Sequence, residues 1–115
     1  MPEVLLDTDV LVDHLQGTRR ITPDFAGSAY ASISRAELYS GTNADESIID
    51  RLLDQFDELP VDRPVADEAG RIRRSTNVRL PDALIAATAI LSKRPLLTRN
   101  LRDFRKVARL RLFRR

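Results

Sequence analysis

Val4-Leu5-Leu6-Asp7-Thr8-Asp9-Val10-Leu11-Val12-Asp13 is the stretch whose reading decides the fold. Val4, Leu5 and Leu6 form a short, continuous apolar run, which suits a strand buried on both faces of a parallel sheet. The run ends in a carboxylate and a helix-like pattern starts at once. Thr8 can cap that helix, Val10, Leu11 and Leu15 give it an apolar face, and Gly17 stops it. Asp7 therefore falls at the carboxyl end of a strand, where open α/β sheets bind their ligands.

Outward from this stretch, strands and helices alternate. Arg19 to Gly27 reads as a loop with a helical turn after Pro23, and Ser28 to Ser32 as a second strand. The next helix carries Ser34-Arg35-Ala36-Glu37, a capping-box pattern, and stops at Gly41. From Asp45 to Phe56 the apolar residues Ile48, Ile49, Leu52, Leu53 and Phe56 recur at helical spacing. Leu59-Pro60-Val61 reads as a third, very short strand. Pro64 suits the start of a helix running to about Ser75, and Asn77 to Leu80 a loop. Pro81 opens a helix from Asp82 to about Ser92 that is apolar nearly all round and belongs in the core. Pro95 to Thr98 is a fourth strand, Leu101 to Val107 a helical turn, and Leu110 to Phe113 a final strand. The alternation predicts a parallel α/β sheet with helices on both faces. Residues 1–115 are expected to form one domain, without repeat, linker or low-complexity segment.

Composition narrows the chemistry. The chain is 43% hydrophobic, enough for one modest core. With no Cys there is neither a disulfide framework nor thiolate chemistry, which is compatible with a reducing, cytoplasmic compartment. The first residues lack a basic segment followed by a long apolar one, so no signal peptide is expected. The longest apolar run, near Ala83 to Leu91, is too short to span a bilayer. His14 is the single histidine, which excludes a two-histidine ribonuclease, and there is no Cys/His cluster for zinc. Four glycines leave little to build a phosphate-cradling loop. The net charge is only +2, yet Arg99 to Arg115 holds eight Arg or Lys and one Asp. This asymmetry points to a polyanionic partner or to a solvated basic tail.

Four carboxylates stand at strand ends or helix starts: Asp7, Glu37, Asp82 and Asp103. Each has an ordinary explanation. Asp7 can cap a helix, Glu37 can complete the capping box, Asp82 can complement a helix macrodipole, and Asp103 can cap a short turn. Together they occupy one kind of topological position, which in this fold class converges on one edge of the sheet. Converging carboxylates repel and raise one another's pKa. A hard divalent cation resolves that conflict: Mg²⁺ or Mn²⁺ takes oxygen ligands from one or two carboxylates, waters and substrate phosphates. A cation so placed activates water and stabilises charge on a phosphoryl group. Thr98 and Asn100, close after a strand, can orient a water or a phosphate beside it; ordinary turn chemistry also accounts for them.

These residues resemble the PIN-domain ribonucleases, and within them the VapC-type toxins of bacterial toxin–antitoxin pairs. The matching pieces are Leu5-Leu6-Asp7-Thr8, Ile33-Ser34-Arg35-Ala36-Glu37-Leu38, Arg79-Leu80-Pro81-Asp82-Ala83-Leu84-Ile85-Ala86-Ala87-Thr88-Ala89, and Leu97-Thr98-Arg99-Asn100-Leu101-Arg102-Asp103-Phe104, in the family's order. The resemblance implies a PIN-like three-layer α/β/α fold with a short, mostly parallel central sheet. It implies a Mg²⁺- or Mn²⁺-dependent endoribonuclease whose metal site is Asp7, Glu37, Asp82 and Asp103, with Thr98 and Asn100 in support. It also implies an RNA substrate, a homodimer and inhibition by a VapB-type antitoxin. Two departures stand out. Position 9 is Asp, where the family more often has a small neutral polar residue; it either adds a carboxylate or points away along the helix. The segment between the first helix and Ser28 is also short.

Two other readings compete. Asp7-Thr8-Asp9 has the Asp-x-Asp form of a haloacid-dehalogenase-like phosphatase with Asp7 as nucleophile, but Lys93 and Lys106 fit its charge-balancing lysine poorly. A catalytically silent PIN-like interaction module would keep the fold alone. On the nuclease reading, Arg99, Arg102, Arg105 and Lys106 are expected to hold RNA phosphates, and the Ile48–Phe56 stripe with the first helix to receive the antitoxin.

Overall fold

The computed structural model describes residues 2–115. Four short strands form one sheet: β1 (Leu5–Leu6), β2 (Ala29–Ala31), β3 (Asp57–Leu59) and β4 (Leu96–Leu97), in the order β3-β2-β1-β4, all parallel. The helices are α1 (Thr8–Gln16), α2 (Ser32–Tyr39), α3 (Glu46–Leu53), α4 (Arg63–Thr76), α5 (Leu80–Leu91) and α6 (Leu101–Phe104), with a 3₁₀ turn at Pro23–Phe25.

Strand alternation divides the core in two. Leu5, Ala29, Ala31 and Leu96 point to the face covered by α4 and α5, where they meet Val65, Ala69, Ile72, Ala83 and Ile85. Val4, Leu6, Tyr30 and Leu97 point to the other face, against Val10 and Leu11 of α1 and Ile49, Leu52 and Leu53 of α3. Both faces are covered, so the inner strands read as unbroken apolar runs. Truncating a fully buried Leu5 to Ala would cost about 2–5 kcal/mol, because the helices can close on the cavity only in part.

The three-layer expectation holds, with local corrections. Asp7, not Thr8, is the N-cap of α1, and Gly17 ends the helix at φ 75°. Ser34-x-x-Glu37 is not a capping box: α2 starts at Ser32, with Ala31 at the cap position. Ser34 is buried and hydrogen-bonded to Thr8, 26 residues away, so a tertiary contact has taken the hydroxyl that a cap would use. The third strand lies at Asp57–Leu59 and stops before Pro60, which has no N–H to continue a ladder. Its polar residues are tolerated because β3 is an edge strand; Glu58 accepts from Tyr30 and Arg35. The Leu110–Phe113 segment is an isolated bridge, Leu112 to Leu96, not a strand. Among the described residues no helix is long and apolar enough to cross a membrane.

Candidate functional site

Every acid singled out in the sequence reaches the same cleft. A cavity of about 350 Å³ beyond the carboxyl ends of β1 and β4 is lined by Asp7, Asp9, Glu37, Asp82 and Asp103, with Arg79, Arg99 and Asn100. Five carboxylates thus meet two guanidinium groups.

Asp7 is the innermost. Its backbone N–H still donates to Leu97 O (3.0 Å), so it is held by the sheet before the chain turns into α1. Its Oδ1 accepts from Thr8 N (2.8 Å) and its Oδ2 from Thr98 Oγ1 (2.7 Å). Helix cap and cleft carboxylate are therefore the same group. Only 4% exposed, Asp7 has its carboxyl pKa pushed up to about 8. Burial is the main cause; the neighbouring Asp9 and, more weakly, Asp82 add to it, and the bonds from Thr98 and Thr8 oppose it. Asp82, half-buried in the first turn of α5, is also raised, chiefly by burial. Arg79 opposes that shift, and Glu37, Asp103 and Asp9 reinforce it.

The remaining acids are oriented by hydroxyl or amide partners. Thr8 Oγ1 donates to Glu37 Oε1 (2.6 Å); having one hydrogen, it must accept from Ser34 Oγ (2.8 Å). Asn100 caps α6, and its Nδ2 donates to Asp103 Oδ2 (3.0 Å). Thr98 Oγ1 accepts from Asn100 N (2.9 Å) while donating to Asp7, so it couples the β4–α6 loop to the innermost acid. Asp9 faces the cleft rather than pointing away: it accepts from Arg99 N (3.2 Å) and fastens that loop to the start of α1. Lys106 reaches Asp103 Oδ1 at 3.8 Å, whereas Arg102 and Arg105 are exposed and do not line the cleft.

Three participants escaped the sequence reading. Arg79, the N-cap residue of α5, brings positive charge to the acids. Ser34 acts across elements rather than as a cap. Asp13 is buried and pairs with Arg99 Nε (3.2 Å). The spacing of Asp9 and Asp13, one helical turn apart, was a signal that both share a face.

The donors are all oxygen and the clustered carboxylates repel, which fits a hard cation and not zinc or copper. Among the described residues no three acids are gathered tightly enough to form a ready-made metal cage. Mg²⁺ does not require such a cage, since it is held by one or two carboxylates with waters and substrate phosphates completing its shell.

Comparison with known proteins bears on the family and the fold. Residues 4–110 match the PIN domain family. Ribonuclease VapC10 of Mycobacterium tuberculosis is 35% identical over 113 residues, covering 88% of this chain and 85% of that protein. A toxin–antitoxin complex from Klebsiella pneumoniae superposes with a TM-score of 0.78 at 28% identity, over 94% of this chain and 95% of that one. DNA-bound VapBC from Salmonella typhimurium gives 0.84 over 98% of both chains; at 20% identity it speaks for the fold alone.

Proposed function

The chain belongs to the PIN-domain family, and from that premise we propose that it is a divalent-cation-dependent endoribonuclease of the VapC type. It acts on RNA in the cytoplasm as the toxin of a pair and is silenced by a VapB-type antitoxin. The observation that carries this reading is the gathering of Asp7, Asp9, Glu37, Asp82 and Asp103, from separate elements, in one cleft at the sheet edge.

In this reading Asp7, Glu37, Asp82 and Asp103 would hold Mg²⁺ or Mn²⁺. The cation, when bound, supplies an acidified water and charge neutralisation at phosphoryl oxygens. The chain's own work is positioning. Thr98 fixes the carboxylate plane of Asp7, Thr8 that of Glu37 and Asn100 that of Asp103. Arg79 and Arg99 offer guanidinium groups at the rim to the phosphates of a strand that the acids alone would repel. A phosphatase using Asp7 as nucleophile needs a lysine in the cleft; neither Lys93 nor Lys106 lines it.

The antitoxin groove expected on the Ile48–Phe56 stripe needs relocating. Ile49, Leu52 and Leu53 are core, and of the stripe only Ile48 is well exposed, at 47%. A neighbouring cleft of about 540 Å³, lined by Val12, Leu15, Leu38, Ala44 and Ile48, shares Val12 and Glu37 with the acidic cleft. An apolar antitoxin segment lying there ends at the acids, where an Arg pairs with them bidentately. The homodimer of this reading is supported by α5, which exposes Leu80 (53%) and Leu91 (45%) eleven residues apart, on one helix face.

The test uses purified protein, labelled single-stranded RNA and a small phosphomonoester. Shortening of the RNA with Mg²⁺ and none in EDTA is the expected result. Phosphate release from the monoester with intact RNA would establish the phosphatase, and neither activity the silent module.

A further inference from the structure

The acidic cleft has a basic neighbour. Arg99 lines both the acidic cleft and a second cavity of about 480 Å³ between the end of α1 and the C-terminal segment. That cavity carries Arg19, Arg99, Arg114 and Arg115 against one carboxylate, Asp13. Asp13 is engaged with Arg99 Nε (3.2 Å), and Asp9 holds the Arg99 N–H. Arg99 is thereby anchored at backbone and side chain, on the wall between the clefts. Arg19 and Arg115 crowd each other: burial first, and then Arg19, push the Arg115 pKa down. An anion would relieve this crowding.

Arg114 and Arg115 are exposed, but the segment that carries them is held in place. Leu96 N donates to Arg111 O (2.8 Å) and Phe113 N to Leu96 O (2.8 Å), so the segment before them is tied to β4. The Phe113 ring stands edge-on to Phe25 with centroids 5.7 Å apart, which fixes the segment against the turn after α1.

We infer that the cleft of Arg19, Arg99, Arg114 and Arg115 is a phosphate track, seating the backbone of a single RNA strand on one side of the scission site. The strand passes over Arg99 from the basic cleft into the acidic one. For its ligand the inference rests on the ribonuclease reading. An acidic protein segment would suit the arginines equally, but a nucleic-acid strand also presents, where the basic cleft opens onto the carboxylates, the phosphates that a divalent cation shares with them.

The test is fluorescence anisotropy of a short labelled single-stranded RNA with the full chain in EDTA, across a salt series. Arg19→Gln with Arg115→Gln should weaken binding and reduce the slope of log K against log salt by about 1.4, at about 0.7 per phosphate contact. Arg102→Gln with Arg105→Gln, outside the cleft, should change it less. Melting curves check the fold, and Arg114→Gln alone, expected to lower the slope by about 0.7, serves if the double variant unfolds. An unchanged slope, or an equal loss from both pairs, would overturn the track in favour of a diffuse basic face. Tighter binding of poly-glutamate than of RNA would overturn it in favour of a protein partner. The nuclease reading fails separately, if wild-type protein with Mg²⁺ leaves RNA intact.

Discussion

Replacing Asp7 with Asn should stabilise the cation-free protein at neutral pH and leave it unimproved in acid. The folded chain keeps a proton on Asp7 up to about pH 8, whereas the unfolded chain releases it near 3.8. Between those values the native state binds more protons, so stability falls as pH rises, by about 1.4 kcal/mol per unit. Over three units, from about pH 4 to 7, the loss from Asp7 is on the order of 4 kcal/mol, and Asp82, raised as well, changes stability in the same direction. Asn has no proton to lose and caps a helix about as well as Asp. Its Oδ1 can still accept from Thr8 N, and its amide can donate to Thr98 Oγ1. Asp7→Asn should therefore melt several degrees above wild type at pH 7 in EDTA, with the gap closing toward pH 4. Saturating Mg²⁺ should raise the wild-type melting temperature and barely move the variant. Asp7→Ala, which loses the cap, should fall about 1 kcal/mol below Asp7→Asn. Thermal melts in EDTA from pH 4 to 8 read this directly. Parallel profiles for wild type and Asp7→Asn would refute the argument that burial and like charge strain this carboxylate.

Thr8→Val removes the hydroxyl shared by Glu37 and buried Ser34; it should cost about 1–3 kcal/mol by denaturant titration and lower RNA cleavage as Glu37 loses its orientation. Leu80→Glu with Leu91→Glu should yield a folded monomer by light scattering, because both side chains are already exposed, and its melting temperature should no longer depend on protein concentration. Ile48→Glu should weaken antitoxin capture, measured by calorimetry with the partner, without shifting the melt; unfolding would mean that this part of α3 is core after all.

The sequence carried the strand and helix alternation and the placing of four acids at element boundaries, because both are local: apolar runs, punctuation by Gly and Pro, and a carboxylate at each junction. The strand order β3-β2-β1-β4 rests on pairings between segments far apart in the chain, which periodicity does not encode. The errors share a physical cause. Ser34 and Glu37 look like a local cap but are claimed by Thr8, and β3 carries polar residues because it is an edge. The stripe on α3 was visible, but its spacing could not say whether it met the sheet or a partner; burial of Ile49, Leu52 and Leu53 decides for the sheet. Arg79 and the C-terminal arginines took their meaning only from the clefts they line.

The central claim is that the clustered carboxylates act together to hold a divalent cation. It is tested most directly by titrating Mn²⁺ into wild type, Asp7→Asn and Asp82→Asn, with free Mn²⁺ followed by electron paramagnetic resonance. Wild type should take up Mn²⁺, Mg²⁺ should compete for it, and each variant should lose most of the uptake. Undiminished Mn²⁺ binding by both variants, or RNA cleavage by wild type in excess EDTA, would contradict the account.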